Sequence, residues 1–477
     1  MSISPIFVAF CAFLTLSEAR LEGATDLEVD TPLGKVKGLD YTAKNGCKLK
    51  AFEAIPYAEP PSRFEKPQEK QAWTTTVDAT EQIARCTQIS FSASPGQPLL
   101  NENSNEDCLF IRVLAPAEGT GPFPVMYWPN GGGLKDGSMY YDQDTQCENI
   151  ISKGIIIVSA TYRLNVYGWF TTGTEDAPGN YGLWDALEGL KFTKKIISSF
   201  GGDPDNIILA GHESGAVLSS ALSYAPQAKD LFTRTIIFSG SASQRDIQDD
   251  RKTYVDLNRN FAIATGCADE NSWKADGTST TFSTIVDCLK QATPQTLADA
   301  HAPLDLGANY VWHMIMDGAN GIWPKPIDEL AKEAPKVPTL MGTSFDSHNN
   351  LLIVFPGLFS GNALDVNMDD LNRPGKVAEV CEAEVTEARF GPKKEEALEG
   401  CKAHFMGRAK TKELDYTDFW LRRASQAGSS ILYHHGVYKD AEMLSENGNE
   451  EVYLYSFDYV REAEDSASEE EKFWWKT

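Results

Sequence analysis

Short apolar runs recur along the chain and are separated by longer segments of mixed composition. They lie at 125–128, 154–160, 206–210, 235–238 and 452–457, and most positions in each run are apolar. Continuous apolar runs of this length are typical of strands that are buried on both faces of a parallel sheet. The pattern therefore predicts a large, mostly parallel sheet.

The segments between these runs have the spacing of helices. Residues 183–199 carry leucines at three- and four-residue intervals, and Gly201 follows as a helix stop. A strand, a helix and a second strand in this order form a right-handed crossover. Segments 246–336 and 368–447 are polar and helical in pattern, which predicts helical excursions beside the sheet.

The N-terminus has the pattern of a targeting segment. Residues 5–16 are almost entirely apolar, and Ser17-Glu18-Ala19 follows them as a small-residue cleavage site. We therefore predict a signal peptide over 1–19 and a secreted mature domain over 20–477. A buried N-terminal strand is the alternative interpretation. No other run approaches ~18 consecutive apolar residues, so no membrane span is predicted.

Composition favours a folded, acidic protein. The chain of 477 residues is 42% hydrophobic and 10% aromatic, which is too apolar for a disordered chain. Its 43 Lys and Arg stand against 68 Asp and Glu, giving a net charge of −25. This balance disfavours nucleic acids and anionic membranes as partners, and it is compatible with cationic ligands or with simple solubility.

Cysteine usage points to disulfides. Nine cysteines occur, and all but Cys11 lie beyond the predicted signal peptide. An even number in an exported chain indicates disulfide bonds, although spacing leaves their connectivity open. A metal site is the competing interpretation, but no C-x-x-C motif is present and only 7 histidines occur. We expect no metal and no cofactor. The eight cysteines are Cys47, Cys86, Cys108, Cys147, Cys267, Cys288, Cys381 and Cys401.

Several sequence blocks occur in a characteristic order. They read FEAIPYAEPP at 52–61, EDCL at 106–109, NGGG at 130–133, GNYGLWD at 179–185 and FGGDP at 200–204. Together they resemble the type-B carboxylesterase/cholinesterase family. The resemblance implies an α/β-hydrolase fold, with helices flanking the sheet, and ester hydrolysis by a Ser–acid–His triad.

The same resemblance implies a set of disulfide pairs. It implies that Cys86 pairs with Cys108 and Cys267 with Cys288, and it admits Cys381–Cys401 as a local bridge. Cys47 and Cys147 then remain as the fourth pair.

The family's nucleophile motif is altered in this chain. A nucleophile elbow is a strand-to-helix turn so tight that small residues are needed two positions either side of the nucleophile. Gly211 and Gly215 bracket position 213, which is Glu213 where the family has serine. Counting from the preceding FGGDP block gives the same register. The alternative is that the neighbouring Ser214 acts as the nucleophile, with His212 two positions before it.

The other two triad positions also depart from the family pattern. The acid position is Ser347, with Asp346 one residue before it, and no histidine occurs after Phe457. His434 and His435 precede the last strand on a predicted helix. We therefore expect that the C-terminal unit which carries the family's histidine is truncated, in the protein or in its gene prediction.

The oxyanion-hole motif is retained. The backbone N–H groups of Gly132, Gly133 and Ser214 are the expected donors. A glutamate at the elbow would lie under these donors as a fixed anion, so we hypothesise that the hole is occupied internally. Some α/β-hydrolases use an elbow carboxylate to attack alkyl carbon, but their ester intermediate needs a His-activated water, for which this sequence provides no histidine.

These observations favour a secreted carboxylesterase-family protein without an intact triad. We interpret its role as recognition, adhesion or ligand binding, with an extracellular protein or a small apolar or ester ligand as its partner. The alternative is an active carboxylic ester hydrolase that uses Ser214 or is completed by a missing C-terminal segment. Whether the chain is an enzyme stays open at this point.

Overall fold

A computed structural model describes residues 23–83, 85–91, 98–101, 103–244, 251–301, 312–344, 374–385, 390–406 and 419–457. The predicted signal peptide and the acid position Ser347 lie outside these ranges.

An 11-stranded sheet forms the centre of the described chain. The five apolar runs of the sequence form five of its strands, with shifts of a few residues at their ends. In chain order the strands are β1 (Thr25–Thr31), β2 (Gly34–Thr42), β3 (Lys48–Pro56), β4 (Val77–Asp78), β5 (Phe110–Pro116), β6 (Phe123–Pro129), β7 (Ile156–Ala160), β8 (Gly202–His212), β9 (Arg234–Phe238), β10 (Thr339–Ser344) and β11 (Val452–Phe457).

The sheet is mixed. Its strand order is β1-β2-β3-β5-β7-β6-β8-β9-β10-β11, and β4 pairs with β2. Pairing is antiparallel from β1 through β7 and parallel from β7 to β11. The parallel half has crossover helices, as the continuous apolar runs predict, and the carboxyl ends of its strands meet at one edge.

Helices flank the sheet. The predicted helix over 183–199 begins two residues earlier, at Tyr181, and closes in a 3₁₀ turn (Ile197–Phe200) before Gly201, whose φ is 85°. The described helices are α1 (Gln143–Asn149), α2 (Asn165–Trp169), α3 (Tyr181–Ile196), α4 (Ser214–Tyr224), α5 (Arg251–Ala264), α6 (Phe282–Gln291), α7 (Pro294–His301), α8 (Ile327–Glu333), α9 (Pro374–Glu384), α10 (Lys394–Met406), α11 (Phe419–Ser429) and α12 (His435–Glu446), with a π-helical turn (Ser430–His434) before α12.

In the part of the chain that the structure describes, three two-stranded ribbons lie outside the main sheet. They pair Ala58–Glu59 with Gln68–Glu69, Arg85–Cys86 with Ser104–Asn105, and Ile89–Phe91 with Pro98–Leu100. The last main-sheet strand, β11, leaves apolar side chains exposed: Tyr453 is 55% exposed, Leu454 51% and Phe457 55%.

Four disulfides link the described chain. They join Cys47 to Cys147, Cys86 to Cys108, Cys267 to Cys288 and Cys381 to Cys401. The last three are the pairs that the family resemblance implies or admits, and Cys47–Cys147 is the pair that then remained. The Cys47–Cys147 bridge closes a loop of 100 residues and ties α1 to the β2–β3 hairpin. Such bonds are stable in oxidising compartments, so they are consistent with an extracellular protein.

Candidate active site

The turn between β8 and α4 has the backbone of a nucleophile elbow. Glu213 links the two elements with φ 57° and ψ −124°, a region that costs a non-glycine residue about 1–3 kcal/mol. The turn is too crowded for side chains at its two flanking glycines. A Cβ on Gly211 would lie 2.3 Å from the Gly215 carbonyl oxygen, and a Cβ on Gly215 would lie 2.3 Å from that of Pro129.

The loop after β6 directs two backbone donors at this turn. Gly132 and Gly133 have φ values of 130° and 62°, which glycine adopts without a steric penalty. The N–H groups of Lys135 and Asp136 donate to the Gly132 carbonyl at 3.1 and 3.0 Å, so the loop is closed on itself.

The Glu213 carboxylate occupies the position between these donors. Its Oε2 accepts from the Gly132 N–H at 2.8 Å and from the Gly133 N–H at 3.0 Å. The third expected donor, the Ser214 N–H, makes no hydrogen bond to this carboxylate in the described residues. Two charge-assisted bonds from consecutive amides are the arrangement that an oxyanion hole offers to a reacting oxygen. Here a side chain of the chain itself receives them.

A second carboxyl group, Asp136, lies beside the first. A Cβ on Gly132 would lie 2.7 Å from Asp136 Oδ1, so this carboxyl packs against the donor loop. Burial, and then the negative charge of Glu213, raise the pKa of Asp136 to about 6. Asp136 is nevertheless exposed to solvent, so the true rise of its pKa is smaller because water screens both causes. The sequence analysis did not identify Asp136; its place just after the glycine run was the available signal.

Aromatic rings line the edge of the sheet next to the elbow. The Trp128 ring lies 6.1 Å from that of Phe238 and 6.5 Å from that of Tyr141, measured between centroids. Phe238 in turn lies 5.8 Å from Tyr455. Burial chiefly raises the pKa of Tyr141, and the charge of Glu213 adds to this, although the residue is 39% exposed. We call these four residues the aromatic wall.

A buried ion pair supports the same loop. Arg112 donates to both carboxylate oxygens of Glu53, at 2.8 and 3.0 Å, with both side chains almost fully buried. Its remaining nitrogen Nη1 donates to the Tyr141 carbonyl at 3.0 Å. The pair therefore fixes the segment that joins the donor loop to α1.

Ser214 does not have the surroundings of a nucleophile. It is the first residue of α4 and is only 4% exposed. Its side chain lies near the Tyr162 phenol, whose own hydroxyl donates to the Asn130 carbonyl at 2.9 Å. In the described residues no histidine bonds to Ser214.

The histidines of the described chain are placed elsewhere. His434 Nε2 lies 3.1 Å from the Ser344 carbonyl oxygen, and His212 and His435 are exposed. Desolvation lowers the pKa of His435. The sequence neighbours of the acid position, Asp346 and His348, lie with it outside the described residues.

Neither a metal-binding cluster nor a membrane-spanning helix occurs among the described residues. No group of three or more His, Cys, Asp or Glu side chains there is placed to hold a metal ion. Among the same residues, no helix combines the length and the apolar character that a membrane crossing requires.

Comparison with known proteins identifies the family. The sequence profile of the carboxylesterase family matches residues 25–475. This chain belongs to the carboxylesterase family. The fold agrees, because an α/β-hydrolase has a central sheet with its elbow at the carboxyl end of a parallel strand.

Relatives in this family carry esterase names. Gut esterase 1 of Caenorhabditis briggsae is 29% identical over 91% of this chain and 74% of its own length. Acetylcholinesterase-1 of Trittame loki is 34% identical over 71% of this chain and 59% of its own length. Carboxylesterase 3 of Homo sapiens is 33% identical over 66% and 54%. At the elbow of this carboxylesterase-family chain stands Glu213, the residue that the sequence register predicts at the position of the family's serine.

Proposed function

We propose that this carboxylesterase-family chain does not hydrolyse esters and acts outside the cell as a recognition or ligand-binding protein. The observation that carries the proposal is the pair of hydrogen bonds from Gly132 and Gly133 to Glu213 Oε2. Extracellular action is supported by the four disulfides and by the signal peptide predicted over residues 1–19.

An occupied oxyanion hole opposes ester hydrolysis in two ways. A substrate carbonyl must first displace Glu213 Oε2 from two bonds to a charged acceptor, each of which contributes about 1.5–3 kcal/mol. The oxyanion that develops on the substrate would then face a second negative charge a few ångströms away. Both terms raise the barrier that this part of the fold lowers in an active esterase.

The alternative nucleophile, Ser214, receives no support from its surroundings. A serine hydroxyl needs a general base within hydrogen-bond reach, and the base needs an orienting acid. Ser214 is buried against Tyr162. The nearest histidine in the motif, His212, is exposed at the end of β8.

A binding role is supported by what the site retains. Glu213 is half-buried, so ligands reach the carboxyl edge of the sheet. The aromatic wall offers an apolar surface there, and Asp136 with Glu213 gives it negative charge. Small, largely apolar ligands or an apolar segment of an extracellular protein suit such a surface.

Hydrolysis of an aryl ester by the mature chain, together with labelling by an organophosphate, tests the proposal. We expect no turnover and no phosphylated serine in the natural chain. Glu213→Ser should also be inactive, because no described histidine is placed to activate the new hydroxyl. Glu213→Gln serves as the matched control for folding. Turnover by the natural chain, or stoichiometric labelling of Ser214, would show that the proposal is wrong.

A further inference from the structure

Glu213 uses its two carboxylate oxygens differently. Oε2 accepts the bonds from Gly132 and Gly133, whereas no hydrogen bond from the described residues reaches Oε1. The side chain is half-buried, so solvent and small molecules have access to it. One oxygen is therefore held in place while the other keeps its lone pairs available in a fixed orientation.

The edge of the sheet beside Glu213 offers an apolar surface, because the Glu213 N–H donates to the carbonyl of Phe238 at 2.9 Å and the Phe238 ring belongs to the aromatic wall. Trp128, Phe238 and Tyr455 belong to the aromatic wall and stand on strands that lie on both sides of β8. Apolar groups next to a carboxylate weaken its hydration, and a preorganised nucleophile gains over the same group in solution.

We propose that Glu213 is a single-use trap for small alkylating compounds whose leaving group departs as a stable anion, such as primary alkyl halides. The Oε1 lone pair forms a carbon–oxygen bond to the primary carbon as the carbon–halogen bond breaks. The halide leaves with that bond's electron pair, so a carboxylate and a neutral halide give a neutral ester and a halide ion. No proton, oxidant or reductant is needed.

The product fits the same donors. After alkylation Oε2 becomes the ester carbonyl oxygen, and it still accepts from the Gly132 and Gly133 N–H groups. Hydrolysis of the ester would need a water activated by a general base. His434, the half-buried histidine of the last helical segment, contacts the Ser344 carbonyl instead. The adduct should therefore persist, and each chain should react once.

The trap differs from the proposed function in the bond that is attacked. Ester hydrolysis attacks acyl carbon and requires a serine or activated water, whereas trapping attacks alkyl carbon through Glu213 Oε1. Ester turnover by the natural chain would thus contradict the proposed function and would say nothing about the trap. An unreactive Glu213 would contradict the trap and would say nothing about the proposed function.

The test uses the full mature chain and 2-bromoacetophenone, an alkylating probe with an apolar body. Intact mass spectrometry and peptide mapping follow the rate and position of the label at neutral pH. We expect one phenacyl group per chain on Glu213, formed about tenfold faster than on any other carboxylate. Glu213→Gln should lose this label, and the matched variant Glu451→Gln, at an exposed glutamate, should keep it.

Two outcomes would overturn the proposal. In one, Glu213 is labelled no faster in the folded chain than in the chain unfolded in urea, which would mean that the fold does not activate it. In the other, the label forms and is released with repeated turnover, so that the site is a catalyst and not a single-use trap.

Discussion

Removal of the Glu213 carboxylate tests directly whether it fills the oxyanion hole. Glu213→Ala deletes the acceptor while leaving a Cβ at the elbow, and Glu213→Gly deletes both. Glu213→Gln keeps an acceptor oxygen but removes the charge. The three variants separate the hydrogen bonds, the charge and the backbone strain at one position.

The expected changes in the free energy of unfolding follow from the hydrogen bonds that Glu213 accepts. Glu213 Oε2 makes two bonds of 2.8 and 3.0 Å to N–H groups. Hydrogen bonds to charged groups contribute about 1.5–3 kcal/mol each. Because the site is half-buried, water can replace part of the bonding that the two N–H groups lose. We expect Glu213→Ala to lower the free energy of unfolding by about 2 kcal/mol and Glu213→Gln by about 1 kcal/mol.

Backbone strain changes the expected free energy of unfolding of the third variant, Glu213→Gly. At φ 57° and ψ −124° a glycine avoids a penalty of about 1–3 kcal/mol, and part of this gain is offset by its greater entropy in the unfolded chain. Glu213→Gly should therefore be about 1 kcal/mol more stable than Glu213→Ala, although it removes more atoms.

The assay is urea unfolding at pH 7, repeated with sodium acetate and with sodium chloride at equal ionic strength. Acetate should bind between the freed donors of Gly132 and Gly133 and raise the stability of the alanine and glycine variants. At ten times its dissociation constant the gain is about 1.4 kcal/mol. Equal stability of the natural chain and Glu213→Ala, with no effect of acetate on either, would refute the assignment of these two donors to Glu213.

Three further measurements test other parts of the molecule. Burial lowers the pKa of His301 from 6.5 to about 4. The stability that neutral His301 contributes should therefore be fully present above pH 6.5, and the free energy of unfolding should fall by about 3 kcal/mol as the pH drops to 4. His301→Gln should flatten this fall in urea titrations. Burial raises the pKa of Asp440, so its contribution is present at low pH and lost as the pH rises; Asp440→Asn should gain stability over the natural chain with increasing pH. Replacing Cys47 and Cys147 by serine opens a loop of 100 residues and should cost about 2–5 kcal/mol in denaturant unfolding, whereas an unchanged midpoint would contradict this.

The parallel half of the sheet could be predicted from the sequence because its strands contain continuous apolar runs, although only β7 among them has every residue buried. The run at 154–160 became β7, whose residues are all buried, and the run at 235–238 became β9. The strands of the antiparallel half could not be predicted in the same way. In β1, for example, most positions are at least partly exposed, so no continuous apolar run marks it.

The elbow could be located from its sequence because its constraint is steric and local. Gly211 and Gly215 are needed where other atoms approach within about 2.3 Å, and this crowding fixes the register at Glu213. The position of Asp136 depends instead on how a loop folds back from a different strand. The acid position Ser347 lies outside the described residues, so that assignment stays a prediction.

A glutamate at the elbow has a consequence that the loss of serine alone would not have. If alanine or glycine stood at position 213, the donors of Gly132 and Gly133 would remain open to water, to anions and to substrate carbonyls. With Glu213 both donors are paired in the resting protein, and the same carboxylate adds to the rise that burial causes in the pKa of Asp136. One side chain thus pairs both donors and adds negative charge to the edge of the sheet. The acetate experiment separates these effects, because only variants without the side chain should bind the anion. A natural chain that bound acetate as tightly as Glu213→Ala would mean that the two donors are open in the resting protein.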